Sequence, residues 1–295
     1  MALDPSLEGA VPPPAPEDIR RAVALALEED AAWRDVTTAA LVPPDQQGRG
    51  VIVAKVEAIV AGLPVAEAVF AMLDASLRFE ALVPEGARVT PGDAVARAEG
   101  PLPPILRGER VALNFLQRLS GVATATAQLV EAVAGLPVRI LDTRKTTPGL
   151  RALEKYAVRV GGGHNHRFHL ADGILVKDNH LAAARARGLS MTEVVRQVRL
   201  GTPHTLRVEV EVTTLDEALE ALAAGVEVLL LDNMSLEDMR RVVGVARGRA
   251  LVEASGGITL DNVRAVAETG VDLISVGAIT HSAPALDMSL EVEAG

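Results

Sequence analysis

The sequence predicts an α/β protein: an α+β domain followed by a parallel α/β barrel that is open or short of eight strands. Three observations predict it. Six short apolar segments, VRILD, GILVK, RVEVE, VLLLD, ALVEAS and DLISV, end at 142, 177, 211, 232, 255 and 276. The last four ends are spaced by 21, 23 and 21 residues, the length of one βα unit. Helix-start signals also lie between or after these segments. Ser190-x-x-Glu193 and Thr214-x-x-Glu217 are capping boxes, Ser235-x-x-Asp238 is close to one, and Thr259 reads as an N-cap. Near-continuous apolar strands belong to sheets buried on both faces, which favours a parallel barrel; a doubly wound open sheet is the alternative.

In chain order, the first sixteen residues hold five prolines and no basic residue, so they lack a signal-peptide n-region and are expected to be a disordered tail. Pro16 opens a helix, where its missing N–H is harmless, and Ile19, Val23 and Leu27 form its apolar stripe. The β-branched run 50–61 reads as a strand and 65–73 as a helix. From 78 to 100, short apolar segments alternate with Pro/Gly turns, the pattern of a small antiparallel sheet. Residues 17–113 are thus expected to form the α+β domain and 114–284 the barrel, with a long helical region over about 104–134 between their sheets. Pro148 is expected to start an amphipathic helix with Leu150, Leu153 and Ala157 inward.

Composition narrows the function. The 295 residues carry a formal charge of −10, and aromatics are 2%. Base-stacking platforms are therefore scarce, and no basic face suits nucleic acid. The absence of cysteine excludes disulfides, thiolate nucleophiles and Cys-ligated metals. No apolar run reaches the roughly 20 residues of a membrane span, so a cytoplasmic protein is expected. Against this acidic background, the window 139–180 holds eight Lys/Arg and four Asp/Glu, with four of the six histidines and three of the four lysines. One cationic focus on an acidic chain suits a small polyanion.

Functional groups stand at nearly every strand end: Asp142-Thr143-Arg144-Lys145, Lys177, Glu211, Asp232-Asn233, Ser255-Gly256-Gly257 and Gly277-Ala278. In a barrel these meet at the carboxyl face, where active sites form; singly, each is as well read as a solvated terminus or a turn. Ser255–Gly257 before the helix capped by Thr259, together with Gly277-Ala278, suggests a backbone cradle for phosphate. Glu211 and Asp232 suit Mg2+ or ribose hydroxyls, with pairing to a neighbouring cation as the structural alternative. The turn 161–167, GGGHNHR, brings backbone and His166-Arg167 close to a ligand. Its clustered histidines raise a zinc site, but the usual carboxylate or Cys spacing is missing. Guanidinium forks with lysine point charges suit a ligand bearing both carboxylate and phosphate.

The motifs DTRKTTPGLR, GGGHNHR, DGILVKDNH, EVEV, LLDN, SGGI and THSAPALDMSL resemble the quinolinate phosphoribosyltransferase family, over about 17–293. The resemblance implies an N-terminal α/β sandwich domain and an incomplete α/β barrel, with 285–295 returning to the first domain. It implies transfer of phosphoribosyl from phosphoribosyl pyrophosphate to quinolinate with decarboxylation, giving nicotinate mononucleotide, pyrophosphate and CO2 in NAD biosynthesis. By the same resemblance, Arg144, His166, Arg167 and Lys177 surround the quinolinate carboxylates, with Thr143 beside them, and Lys145 lies near pyrophosphate. Glu211 and Asp232 serve the ribose hydroxyls and Mg2+, directly or indirectly. Ser255, Gly256, Gly257, Val276, Gly277 and Ala278 hold the 5′-phosphate. Lys145, Lys177, Glu211 and Asp232 are the residues expected to carry catalysis. Arg110 reaches into the neighbouring subunit of a homodimer or higher oligomer. Two rivals stand beside this reading: a Schiff-base aldolase using Lys177, and a non-catalytic phosphate-binding or metal-transport-associated paralogue.

Overall fold

The computed structural model describes residues 11–294. Of the tail expected over 1–16, residues 1–10 lie outside the described residues, and 11–15 enter the first helix without regular structure. The chain divides into two units. One holds the described residues up to 127, with 146–162 and those from 279 onward; the other holds 128–145 and 163–278.

The chain begins with α1 (Pro16–Glu29), a 3-10 turn (Ala32–Arg34) and α2 (Val36–Leu41). Next come β1 (Gln47–Ala54), β2 (Ala58–Ile59), α3 (Leu63–Leu73), β3 (Arg78–Ala81), β4 (Arg88–Val89), β5 (Ala94–Pro101) and α4 (Leu102–Ala132). It continues through β6 (Arg139–Leu141), α5 (Arg151–Val160), β7 (Ile174–Val176), α6 (Asp178–Arg185) and α7 (Met191–Gly201). Then follow β8 (Val208–Val212), α8 (Leu215–Ala223), β9 (Val228–Asp232), α9 (Leu236–Ala246) and β10 (Leu251–Ser255). The last elements are α10 (Val263–Ala267), β11 (Leu273–Ser275), α11 (Ala278–His281) and β12 (Met288–Ala294).

In the first unit, β12, β1, β5 and β3 form an antiparallel sheet in that order, and β2 pairs with β4. The run expected as one strand over 50–61 is broken at 55–57 and supplies both β1 and β2. The predicted stripe of α1, Ile19, Val23 and Leu27, is buried. Gly121 on α4 permits a close approach of the chain's return, since a Cβ there would lie 1.9 Å from the carbonyl oxygen of Pro284. Beside it, Arg118 donates Nε and Nη2 to Glu154 Oε1 of α5 at 3.0 and 2.8 Å. It also donates Nη1 to the carbonyl of Ala283. Glu154 is fully buried and accepts the Thr147 N–H and hydroxyl as well, so its charge is compensated by cation and dipoles.

Helix α5 starts three residues later than Pro148 suggests. Leu150 N–H donates to Thr147 O at 3.0 Å and Gly149 has φ +82°, which makes 147–150 a Pro-Gly turn before the helix. The predicted inward residues Leu153 and Ala157 are buried.

The second unit is the open α/β barrel. Its six strands run parallel in the order β6-β11-β10-β9-β8-β7, with helices after the strands. Although β6 and β7 are successive strands, they occupy the two edges of this sheet, so the barrel is open between them. At the β6 edge, His164 forms an isolated parallel bridge with Leu141: its N–H donates to Ile140 O at 2.8 Å, and its carbonyl accepts the Asp142 N–H at 3.1 Å. Ser190, Thr214 and Ser235 accept N–H groups at the starts of α7, α8 and α9, as their spacing requires. Thr259 does not cap a helix. Its N–H donates to Asn262 Oδ1, and α10 begins only at Val263. The side chain of Asn262 also donates to Gly257 O, stabilising an extra turn that delays the helix.

Candidate active site

Strand parity builds the site. Side chains two apart share a face, and register aligns them across strands. Glu209 pairs with Leu175 on one side and Val228 on the other; Glu211 pairs with Leu230, Leu230 with Glu253, Asp232 with Ser255, and Ser255 with Ser275. Leu175, Lys177, Glu211, Leu230, Asp232, Glu253, Ser255 and Ser275 consequently line one cavity of about 580 Å³ at the carboxyl ends of the strands. The loop after β6 adds Thr143, Arg144 and Lys145; the turn before β7 adds His166 and Arg167; the loops after β9 and β10 add Asn233, Gly256 and Gly257.

Eleven expected residues therefore meet in this cavity: Thr143, Arg144, Lys145, His166, Arg167, Lys177, Glu211, Asp232, Ser255, Gly256 and Gly257. Val276, Gly277 and Ala278 are not among its lining, and Ser275 supplies that edge. Ser275 donates its hydroxyl to Ser255 Oγ at 3.0 Å, tying β11 to β10 at the rim. Because α10 is five residues long and starts at Val263, no helix N-terminus follows directly on Ser255–Gly257, and the segment expected as a cradle is loop. Arg110 belongs to the other unit. It lies exposed on α4, and its guanidinium is 3.9 Å from Glu109.

The loops are held by buried acceptors. Asp142, fully buried, accepts Asn165 Nδ2 at 2.6 Å and the His166 N–H at 2.9 Å, which joins the loop after β6 to the turn that carries His166 and Arg167. Arg167 donates Nη1 to Gly173 O at 2.7 Å, and the Phe168 N–H donates to Asp172 Oδ2, closing residues 167–173 on themselves. Lys177 Nζ lies 3.5 Å from Glu211 Oε2. Asn233 Nδ2 donates to Asp232 Oδ2 at 3.1 Å, and Asn233 itself is left-handed, with φ +52°.

The floor carries two acids that strand-end reasoning passes over. Glu253 is 1% exposed and Glu209 8%. Burial, then the neighbouring Glu209 charge, pushes the Glu253 carboxyl up to about 7. Burial, then the nearby Arg144 guanidinium, lowers the pKa of Arg167 below the ordinary arginine value, and Glu209 opposes that shift. His166 Nε2 lies 3.3 Å from Glu209 Oε2 and 3.7 Å from Glu253 Oε2, and Nδ1 accepts the Arg167 N–H at 2.7 Å. These acids had a legible signal: VEVEV alternates, so Glu209 must share the face of Glu211, as Glu253 shares that of Ser255.

His166, Glu209 and Glu253 could bring three ligand atoms within 4.8 Å of one another. Yet the N–H on Nδ1 leaves the ring proton on Nε2, so His166 directs a donor, not a lone pair, at the acids. That polarity is wrong for a cation. Glu211 and Asp232 fit one better: they are oxygen donors on neighbouring strands, open to the cavity, suited to a hard ion that keeps its waters. Among the described residues, no helix is long and apolar enough to cross a membrane.

Comparisons with known proteins identify the family. Two family models match, "Quinolinate phosphoribosyl transferase, N-terminal domain" over residues 35–120 and its C-terminal domain over 122–291. A Synechocystis protein named probable nicotinate-nucleotide pyrophosphorylase [carboxylating] is 45% identical over 269 residues, 90% of each chain. A Bacillus subtilis protein of the same name is 42% identical over 264 residues, again 90% of each. The solved structure of the nicotinate-nucleotide pyrophosphorylase from Francisella tularensis superposes with a TM-score of 0.89 at 39% identity, covering 94% of this chain and 96% of that one. With both domain models matched along one chain, and such relatives covered almost end to end, this protein belongs to the quinolinate phosphoribosyltransferase family.

Proposed function

We propose that this protein transfers the phosphoribosyl group of phosphoribosyl pyrophosphate to quinolinate and decarboxylates the product, giving nicotinate mononucleotide, pyrophosphate and CO2. The observation that carries the reading is the meeting of Arg144, Lys145, Arg167 and Lys177 with Glu211 and Asp232 in one strand-end cavity. Four cations suit a dicarboxylate beside a polyphosphate, and the two acids suit ribose hydroxyls and the positive charge that develops on ribose.

In this reading Arg144, Arg167 and Lys177 hold the two quinolinate carboxylates, with Thr143 and His166 beside them, and orient the ring nitrogen toward ribose C1. As the nitrogen–C1 bond forms and the C1–oxygen bond to pyrophosphate breaks, Glu211 and Asp232 favour the cationic ribose and Lys145 receives the leaving charge. The backbone and hydroxyl of Ser255–Gly257 hold the 5′-phosphate, with 276–278 behind that rim. Mg2+ would be held by Glu211 and Asp232, and when bound it neutralises the departing pyrophosphate. Loss of the 2-carboxylate then leaves its electron pair on C2, stabilised by the adjacent pyridinium nitrogen, and a proton takes the vacated position. Neither an aldolase nor a binding paralogue accounts for four cations from the two edges of the sheet meeting two acids on the neighbouring strands β8 and β9.

The deciding assay is CO2 release strictly dependent on both quinolinate and phosphoribosyl pyrophosphate. Release with either alone, or none with both, refutes the reading. We further infer a homodimer in the cytoplasm, with Arg110 supplied in trans. Inactive Arg110→Ala and Lys177→Ala proteins, mixed under verified subunit exchange, should regain roughly a quarter of wild-type activity, because half the dimers have one intact site. Persistent inactivity refutes the shared site.

A further inference from the structure

The buried acids at the floor of the cavity have no part in the reaction as described, and the groups around them form a chain of contacts. Glu253 and Glu209 stand together; His166 Nε2 lies 3.3 Å from Glu209 and 3.7 Å from Glu253. On the other side of the ring, the Arg167 N–H is 2.7 Å from Nδ1. The His166 N–H is pinned separately to Asp142. Both ring nitrogens are therefore occupied by protein. Yet Glu209 Oε1 and Glu253 Oε1 are buried and accept no hydrogen bond. Two buried carboxylates with unused oxygens are costly to retain unless their orientation serves something.

We propose that Glu209, backed by Glu253, is a positioning residue: it accepts the Nε2–H of His166, fixes the imidazole in one tautomer and one plane, and through Nδ1 fixes the backbone at Arg167. His166 acts as a pillar between the acidic floor and the arginine that grips substrate, and not as a cation offered to the substrate's carboxylates. The relay also gives Arg167 a resident counter-charge, since Glu209 acts on it against the repulsion from Arg144. The role for substrate rests on the assignment of this cavity to quinolinate; the tautomer does not.

Two kinds of measurement test it. Long-range proton–nitrogen correlation on histidine-labelled wild-type protein reads the tautomer directly. Nε2 should appear protonated and Nδ1 unprotonated, and in Glu209→Leu the two forms should average. Steady-state kinetics should show the KM for quinolinate raised about tenfold in Glu209→Leu, with the KM for phosphoribosyl pyrophosphate changed less than about twofold. Glu209→Gln, whose amide oxygen can accept the same N–H, should stay within about threefold of wild type. The double variant Glu209→Leu/His166→Phe should be no worse than the poorer single one, because both cut the same relay.

A protonated Nδ1 in the wild type overturns the proposal, and that measurement needs no variant to fold. So does an unchanged quinolinate KM in a folded Glu209→Leu protein, or an equal rise in both KM values. Wild-type protein that shows the Nε2–H tautomer but binds no quinolinate by calorimetry overturns the site assignment and upholds the relay.

Discussion

Replacing Gly256 by alanine tests the rim of the cavity where backbone geometry, and not charge, is the working part. Gly256 has φ +88°, and a Cβ there would fall 2.3 Å from Asn233 Oδ1, 2.5 Å from Cγ and 2.7 Å from Nδ2. The left-handed backbone alone costs a non-glycine residue about 1–2 kcal/mol. The amide of Asn233 must also move, which breaks its bond to Asp232 Oδ2; at this exposed position that loss is about 1 kcal/mol. Together the fold should lose about 2–3 kcal/mol, a fall of about 5 °C in Tm for a chain of this size. Gly248→Ala is the internal control, since Gly248 has φ +75° with no atom within 4 Å of its added Cβ. It should show the backbone cost without the collision. Because the displaced amide holds the carboxylate assigned to ribose, Gly256→Ala should weaken phosphoribosyl pyrophosphate binding at least tenfold by calorimetry, about 1.4 kcal/mol. Gly248→Ala should leave it unchanged. Equal melting shifts in the two variants, or full affinity in Gly256→Ala, would refute the argument.

Four further outcomes are expected. Glu253→Gln should remove a pH dependence: the folded carboxyl titrates near 7 and the unfolded one near 4.5, so the unfolded chain ionises first. Wild-type stability should fall by about 3 kcal/mol relative to the variant as pH rises from about 4.5 to 7, read by denaturant melts across that range; parallel curves contradict this. Arg118→Ala strands the fully buried Glu154 charge and should cost about 3–5 kcal/mol in urea unfolding, while a loss under about 1 kcal/mol would mean that Thr147 suffices. Gly121→Ala meets a carbonyl oxygen and should cost about 3 kcal/mol or more, since backbone cannot yield as a side chain does; a Tm within about 1 °C of wild type would show that the return segment shifts freely. Glu211→Gln and Asp232→Asn should keep the wild-type melt but lower turnover, with quinolinate affinity least affected; unchanged rates and Mg2+ response in both would assign these acids to structural pairing.

What could be read beforehand was what a local pattern determines. Strand ends at 142, 177, 211, 232, 255 and 276 fall within one residue of the observed β6 to β11, because apolar runs and helix caps delimit them on either side. Four of the eleven expected residues, Lys177, Glu211, Asp232 and Ser255, meet because strand ends of a parallel sheet converge, and the other seven follow on the loops and turn that adjoin those ends. Three things escaped. Thr259 looks like an N-cap by identity, but Asn262 takes its N–H and the helix starts later, a choice made by a hydrogen bond three residues away. Pro148 looks like a helix start, but Gly149 at φ +82° turns the chain first. Glu209 and Glu253 are interior strand residues, and a search confined to strand ends passes them by even though alternation marks their face.

The opening between β6 and β7 bears on how this protein fares when damaged. A strand with one side unpaired is a template on which a second chain can add, and aggregation often begins there. The β6 edge is covered by the backbone of His164, two residues from the pillar histidine, and the cover is tied down by Asp142. The segment that carries His166 and Arg167 into the cavity is thus also the bandage over a sheet edge. Proteolytic nicking or misplacement of 163–172 removes both at once, so molecules damaged there are also the ones that stick to one another. Damage to this segment should therefore cost activity and solubility together, whereas a lesion at the strand-end acids leaves the edge covered and the molecule soluble.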